Sequence, residues 1–131
     1  MPGIPQDYRN LFEKRTIAHV VTTNEDGSPH ATPVWIDYDE RSNRVLVNTE
    51  RHRRKTRNVQ ARPDVAVSLT DPDDPYCWIS ITGTVEEITT DGARDHIDEL
   101  AKRYKDVDSY PSQIHSERVK LLIQPQEVLT G

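Results

Sequence analysis

The sequence predicts a mainly β (α+β) fold: a six-stranded antiparallel barrel with short flanking helices. Three observations carry that prediction. Val and Ile together number 21 against 7 Leu, and β-branched side chains favour pleated, half-buried strands. Apolar segments recur as short alternating runs separated by Asp-, Asn-, Gly- and Pro-rich turns, the spacing of hairpin-linked strands. One segment alone, residues 91–105, carries a long apolar stripe at helical period.

Taken in order, residues 4–15 read as a short helix, with Ile4, Tyr8, Leu11 and Phe12 at helical spacing. A strand follows over 17–23, and the Asp26-Gly27 pair in the turn at 24–27 is a strong hairpin signal. The next strand, 29–39, contains Pro33, which cannot donate to a ladder and belongs at an edge or a bulge. ERSN turns the chain at 40–43 into a third strand, 44–49. The basic segment from Arg51 reads as a helix ended by Pro63. A fourth strand spans 65–70, a DPDDP turn covers 71–75, and a long strand runs from Tyr76 to Ile88. In that strand Cys77, Ile79, Ile81, Gly83 and Val85 alternate with Tyr76, Trp78, Ser80, Thr82 and Thr84. The helix over 91–105 presents Ala93, Ile97, Leu100, Ala101 and Tyr104 on one stripe, with Thr90 or Asp91 as its N-cap. A polar loop at 106–113 leads to a last strand over 117–123, where Val119, Leu121 and Ile123 point inward.

Composition bounds what such a chain does. A length of 131 residues suits a single domain. Val, Ile, Leu and Phe make up about 22% of it, just above the roughly 20% at which chains tend to disorder, so the core is thin and a partner subunit is expected. No apolar run approaches the roughly 18–20 residues of a membrane span, and the N-terminus lacks a signal-peptide core. The single cysteine, Cys77, excludes an internal disulfide framework and any multi-cysteine metal site. A cytoplasmic protein is expected.

The net charge is −5, which argues against a general nucleic-acid binder. The charge is unevenly spread, however. RHRRKTR at 51–57 holds five of the seventeen Lys and Arg, and without those five the chain would stand at −10. On a helix Arg51, Arg54, Lys55 and Asn58 share one face, and His52, Thr56 and Val59 another. Cations this dense repel one another, and a bound phosphate or carboxylate would compensate them. A solvated face paired with the chain's many acids is the other reading. No aromatic side chains interleave with the basic run, as stacking on nucleic-acid bases would require.

Tyr76 and Trp78 lie on a strand face that is otherwise polar, which suits a subunit interface or a ring-binding pocket, or else a surface pair under the C-terminal helix. Trp35, beside Pro33, suits a pocket or the core. The five histidines match no metal-ligand spacing, and the Asp71, Asp73, Asp74 cluster lacks a calcium-loop pattern. Cys77 is expected to be buried and inert. GxSxG, P-loop and GxGxxG motifs are absent, and no side chain stands out as acid, base or nucleophile. An enzyme of this kind would leave the chemistry to a cofactor that the protein binds and orients.

The order Asp26-Gly27-x-Pro29, Pro33-Val34-Trp35, Lys55-x-Arg57-Asn58, Pro63-x-Val65, Pro75-Tyr76 and Gly83-x-Val85 resembles the pyridoxamine 5′-phosphate oxidase-like family of flavin-binding split β-barrels. ARPDVAVSLTDPDDPY and the ending ERVKLLIQPQEV are similar to its short branch that binds the deazaflavin coenzyme F-420. The resemblance covers nearly the whole chain. It implies a homodimer with two cofactor sites at the subunit interface. By position, Arg53, Arg54, Lys55, Arg57 and Asn58 would hold the cofactor phosphate and the oligoglutamate tail of F-420. Thr32, Pro33, Val34 and Trp35, with Asn48 and Thr49, would line the ring system, and Tyr76 and Trp78 would close the pocket from the second subunit. His52 departs from the pattern, since similar sequences often carry a small residue there. Five clustered cations suit the phosphodiester and carboxylates of F-420 better than the single phosphate of FMN. The resemblance implies an oxidoreductase that transfers hydride between reduced F-420 and a small unsaturated or conjugated substrate. The alternatives are an FMN-binding member of the same family, or a non-catalytic carrier of F-420, flavin or haem.

Overall fold

A computed structural model describes residues 2–131. Seven strands, β1 (Ile17–Thr23), β2 (Pro29–Trp35), β3 (Asp37–Asp39), β4 (Arg44–Glu50), β5 (Asp64–Asp71), β6 (Asp74–Thr89) and β7 (Arg118–Thr130), form one antiparallel sheet. Two helices accompany them, α1 (Arg54–Ala61) and α2 (Ala93–Lys105), and a 3-10 helix spans Gln6–Phe12. The strand order is β2-β1-β5-β6-β7-β4-β3, and the sheet curls into the half-barrel of a split β-barrel.

The inner face collects the alternating apolar positions: Ala18 and Val20, Val45 and Val47, Val65, Val67 and Leu69, Ile79 and Ile81, and Val119, Leu121 and Ile123. Leu11, Phe12 and Ile4, from the N-terminal segment, complete this core. The 3-10 geometry of Gln6–Phe12 replaces the expected α-helix. Five of its seven residues are buried only in part or not at all, and only Leu11 and Phe12 are held by the core.

The expected strand at 29–39 is two strands, which is why the sheet has seven rather than six. β2 pairs β1 at one edge of the sheet and β3 pairs β4 at the other. The chain crosses between the edges at Ile36, which is fully buried. Its backbone leaves the ladder there, and side chains of α2 serve it instead. Ile36 N donates to Tyr104 Oη at 3.0 Å, and its carbonyl accepts from Arg103 Nη1 at 3.0 Å. A buried backbone group without a partner would cost about 1–3 kcal/mol, so these two bonds make the crossing possible. Pro33 lies in the edge strand β2, where its missing N–H is harmless.

The last strand runs beyond Ile123 to Thr130, because β6 is long enough to pair it along that length. Val85 opposes Ile123, and Ile79 opposes Thr130. The register shifts near Gly83, where a Cβ would meet Gln124 O at 2.4 Å. The close backbone approach that bends β6 against β7 thus requires glycine. Asn24 N bonds Ser28 O and Gly27 sits at φ +88°, so the Asp-Gly turn forms the expected hairpin. Cys77 packs against the core but is only half-buried, in the stretch of β6 where the register with β5 shifts.

In α2 the stripe Ala93, Ile97, Leu100, Ala101 and Tyr104 is buried as its period predicts. The helix begins at Ala93, two residues late, and neither Thr90 nor Asp91 caps it. Gly92, at φ +69°, occupies the cap position. Between α2 and the sheet lies a second cluster of Ile97, Leu100 and Tyr104, with Trp35 and Tyr110 against it. β4 is therefore covered on both faces.

Candidate functional site

The basic segment does not form one helical face. Residues 51–53 are a turn, and α1 starts only at Arg54. Arg51 is held away from the helix by an ion pair with Glu117, Nε to Oε1 2.8 Å. Thr56 and Val59 are buried, as one side of the expected helix requires, but so is Asn58. Thr56 Oγ1 donates to Glu50 O at 2.8 Å. Asn58 Nδ2 donates to Thr22 Oγ1 and Asn24 Oδ1, both at 3.0 Å. Asn58 is thus a fastener between α1 and the β1–β2 hairpin, not a member of an exposed cationic face. The remaining cations divide, Arg53 and Lys55 to one hollow, Arg54 and Arg57 to another.

The first hollow is a cleft of about 480 Å³, within the roughly 300–1,000 Å³ of small-molecule sites. Thr32, Pro33, Val34 and Trp35 of β2 and Asn48 and Thr49 of β4 line it, with Arg53 and Lys55. The structure therefore brings together eight of the residues named from the sequence. Trp35 stacks on Tyr104 with ring centroids 5.0 Å apart and meets Tyr110 edge-on at 6.0 Å. Thr32 Oγ1 is buried with no hydrogen-bond partner.

Residues that the sequence reading did not single out complete the walls: Ile17, Ile97, Tyr110 and Arg118. Arg118 matters most among them. Its side chain is only 8% exposed, its guanidinium lies over the Tyr110 ring at 5.0 Å, and its Nε donates to Asn48 Oδ1 at 2.9 Å. Glu50 Oε2 lies 3.7 Å from its Nη1. The alternation in ERVKLLI places Arg118 opposite the inward Val119, which was the one available signal. Nothing in the polar loop marked Tyr110.

Three cations, Arg53, Lys55 and Arg118, thus converge on one partly apolar cleft. Burial holds the Lys55 ammonium below the ordinary lysine range, and repulsion from Arg53 and Arg118 adds to it. Positive charge is in excess there. Glu50, the nearest acid, is largely committed: its Oε1 accepts from the backbone N–H of His115 and of Ser116, each at 2.7 Å. Burial opposes ionisation of Glu50, but these two N–H groups and Arg118 together hold its carboxyl below its usual range. The bonds to His115 and Ser116 also pin the end of the loop that carries Tyr110.

The second hollow, about 650 Å³, is larger and different in kind. Arg54, Arg57 and Arg62 face Asn24, Glu25 and Asp26 across it. It has no aromatic wall, and two acids already stand among its cations. A ring system has nothing to stack on there.

Tyr76 and Trp78 line neither hollow. They are exposed at the start of β6, where Trp78 pairs its backbone with Gly131. Leu129, on the neighbouring strand β7, is exposed as well. Among the described residues, no group of three or more His, Cys, Asp or Glu is placed to hold a metal, and no helix is long and apolar enough to cross a membrane.

The sequence pattern of pyridoxamine 5′-phosphate oxidase matches residues 4–130. The chain belongs to the pyridoxamine 5′-phosphate oxidase family. Among solved structures it is similar to an F420 reductase, at 29% identity and a TM-score of 0.84 over 96% of this chain and 98% of that one. HupZ of Group A Streptococcus shares the fold at 17% identity, with a TM-score of 0.71 over 97% of this chain and 93% of the other. General Stress Protein 26 of Bacillus anthracis str. Sterne shares it at 19% identity, with a TM-score of 0.68 over 92% and 88%. No curated protein sequence matches the chain. Family members bind flavin-type cofactors, and the residues of the first cleft fit such a group. An aromatic stack and apolar strand residues suit a ring system, the orphaned Thr32 hydroxyl suits a polar ring edge, and the uncompensated cations suit a phosphate.

Proposed function

We propose that this protein is an oxidoreductase of the pyridoxamine 5′-phosphate oxidase family that uses coenzyme F-420, bound in the cleft between β2, β4 and α1. The observation that carries this reading is the convergence of Arg53, Lys55 and Arg118 beside the Trp35 stack. When bound, reduced F-420 supplies a hydride to a small unsaturated or conjugated substrate.

The chain's own residues do the rest. Arg53, Lys55 and Arg118 hold the phosphodiester. Arg118 and Arg53 offer planar forks, and Lys55 offers a mobile point charge. Val34, Trp35 and Thr49 hold the ring and exclude water from one of its faces. Thr32 supplies a hydroxyl toward its polar edge. Arg54 and Arg57, on the other side of α1, take carboxylates of the tail. The preference for F-420 over FMN rests on these outer cations, for which a single phosphate has no use, and on the likeness to the F420 reductase. The exposed Tyr76, Trp78 and Leu129 are the face on which a second copy of the chain docks, giving a homodimer.

A binding-only role, as a carrier, has one observation in its favour. The cleft is lined by no carboxylate, histidine or thiol, and of its acidic protons those of Lys55 are assigned to the phosphate while Tyr110 lies under Arg118. In the oxidoreductase reading the proton comes from solvent.

Titration of the protein with F-420, followed by coenzyme fluorescence and by quenching of Trp35, tests the reading. Saturable binding at micromolar concentration or below is expected. Binding of FMN without F-420 transfers the site to a flavin, and binding of neither overturns it. Turnover of enones or quinones with reduced F-420 separates the enzyme from the carrier.

A further inference from the structure

Behind the cleft a run of buried and partly buried polar side chains crosses from the sheet to α2. It begins at Arg118, whose Nε donates to Asn48 Oδ1 at 2.9 Å. Asn48 Nδ2 lies 2.8 Å from Ala93 O and 3.1 Å from His96 Nδ1. His96 Nε2 lies 2.9 Å from Asp37 Oδ2. The other oxygen of Asp37 accepts from Arg103 Nη2 at 3.1 Å and from Tyr38 N at 2.9 Å. Arg103 Nη1 in turn donates to Phe12 O and Ile36 O, at 2.7 and 3.0 Å.

Chemistry fixes every role in this run. An arginine Nε only donates, so the Asn48 atom facing it is the carbonyl oxygen. A backbone carbonyl only accepts, so the atom facing Ala93 is the amide nitrogen. A flipped amide would fail at both contacts. The two Nδ2 hydrogens are then spent, one on Ala93 and one on His96. His96 Nδ1 must accept, and its hydrogen sits on Nε2, where it is donated to Asp37.

We propose that His96 is a positioning residue for the anion site. Held by Asp37, it orients the Asn48 amide, and Asn48 aims the Arg118 guanidinium into the cleft. This rests on the reading that the cleft binds an anionic cofactor. His96 itself touches no cofactor. Its effect travels through one hydrogen bond, the one at Nδ1.

Two substitutions separate positioning from mere packing. In His96→Asn the new amide oxygen lies near the place of Nδ1 and still accepts from Asn48, but Asp37 Oδ2 loses its bond from His96 while Oδ1 keeps Arg103 and Tyr38. In His96→Gln the longer side chain reaches Asp37, and Asn48 Nδ2 is left without its acceptor. The proposal therefore sets stability and affinity in opposite orders. His96→Asn unfolds at the lower temperature yet binds F-420 within threefold of wild type. His96→Gln is the more stable of the two and binds about tenfold more weakly, as does Asn48→Ala. In the free wild-type protein, ¹⁵N NMR finds His96 as the Nε2–H tautomer. A purely structural His96 makes affinity follow stability, and that order, equal affinities for the two variants, or an Nδ1–H tautomer overturns the proposal. Wild-type protein that binds neither F-420 nor FMN overturns the cofactor reading instead. Inorganic phosphate then replaces the coenzyme as probe, and equal phosphate affinity of the variants overturns the relay.

Discussion

The two flanks of α1 carry the same kind of side chain and come to opposite ends. On one flank Arg53, Lys55 and Arg118 sit against aromatic and apolar walls, with their nearest acid, Glu50, already engaged by backbone N–H groups. On the other, Arg54, Arg57 and Arg62 stand in an open hollow that includes Glu25 and Asp26. A cation's worth as a binding group depends on how far it is desolvated and how little its neighbours neutralise it. By that measure the smaller cleft is the better suited of the two to hold an anion.

Arg118→Met is the hardest blow to this contrast. It removes a buried guanidinium whose bonds to an anion are worth about 1.5–3 kcal/mol each. F-420 affinity should fall about a hundredfold by fluorescence titration, since each 1.4 kcal/mol is about tenfold. A fall no larger than that caused by Arg54→Ala with Arg57→Ala in the open hollow would erase the distinction between the flanks.

Lys55→Met sharpens the contrast by separating binding from stability. The folded-state pKa of Lys55 lies below its ordinary value, so the unfolded chain holds this proton more tightly than the native one does. The charged lysine therefore costs native stability at neutral pH, and that cost fades as pH rises through the lowered value toward about 10.4. The variant should bind F-420 about tenfold more weakly and yet melt about 1–3 °C higher without ligand. Its advantage should shrink in alkaline buffer. A variant that melts lower at neutral pH would show that Lys55 is not crowded by Arg53 and Arg118.

Much of this arrangement was legible in the residues. The strand alternation, the Asp26-Gly27 turn, the stripe of α2 and the edge position of Pro33 follow from period and turn chemistry alone. Eight cleft residues were named through the family resemblance, and the curl of the sheet brings β2 and β4, which lie toward opposite edges, together with the start of α1. Other features depended on tertiary contacts that no local pattern encodes. The break at Ile36 exists because Tyr104 and Arg103, about 70 residues away, satisfy its backbone. Asn58 lies where a helical wheel puts it beside Arg54, but Thr22 and Asn24 draw it inward. Arg118 looked like an ordinary strand charge until Asn48 and Tyr110 closed around it.

The smallest expected effect lies on the open flank. Arg54→Ala with Arg57→Ala should weaken binding of long-tailed F-420 about threefold at low salt and leave FMN binding unchanged. The loss should vanish at high salt, because exposed charges are screened over about 8–10 Å at 0.10–0.15 M. A loss shared equally by FMN would place the phosphate on this flank.

The most direct test is a crystal structure of the complex with F-420. The account predicts the phosphodiester within hydrogen-bond distance of Arg53, Lys55 and Arg118, with the ring against Val34 and Trp35. A phosphate seated on Arg54, Arg57 and Arg62, with the Trp35 cleft left to solvent, would contradict it.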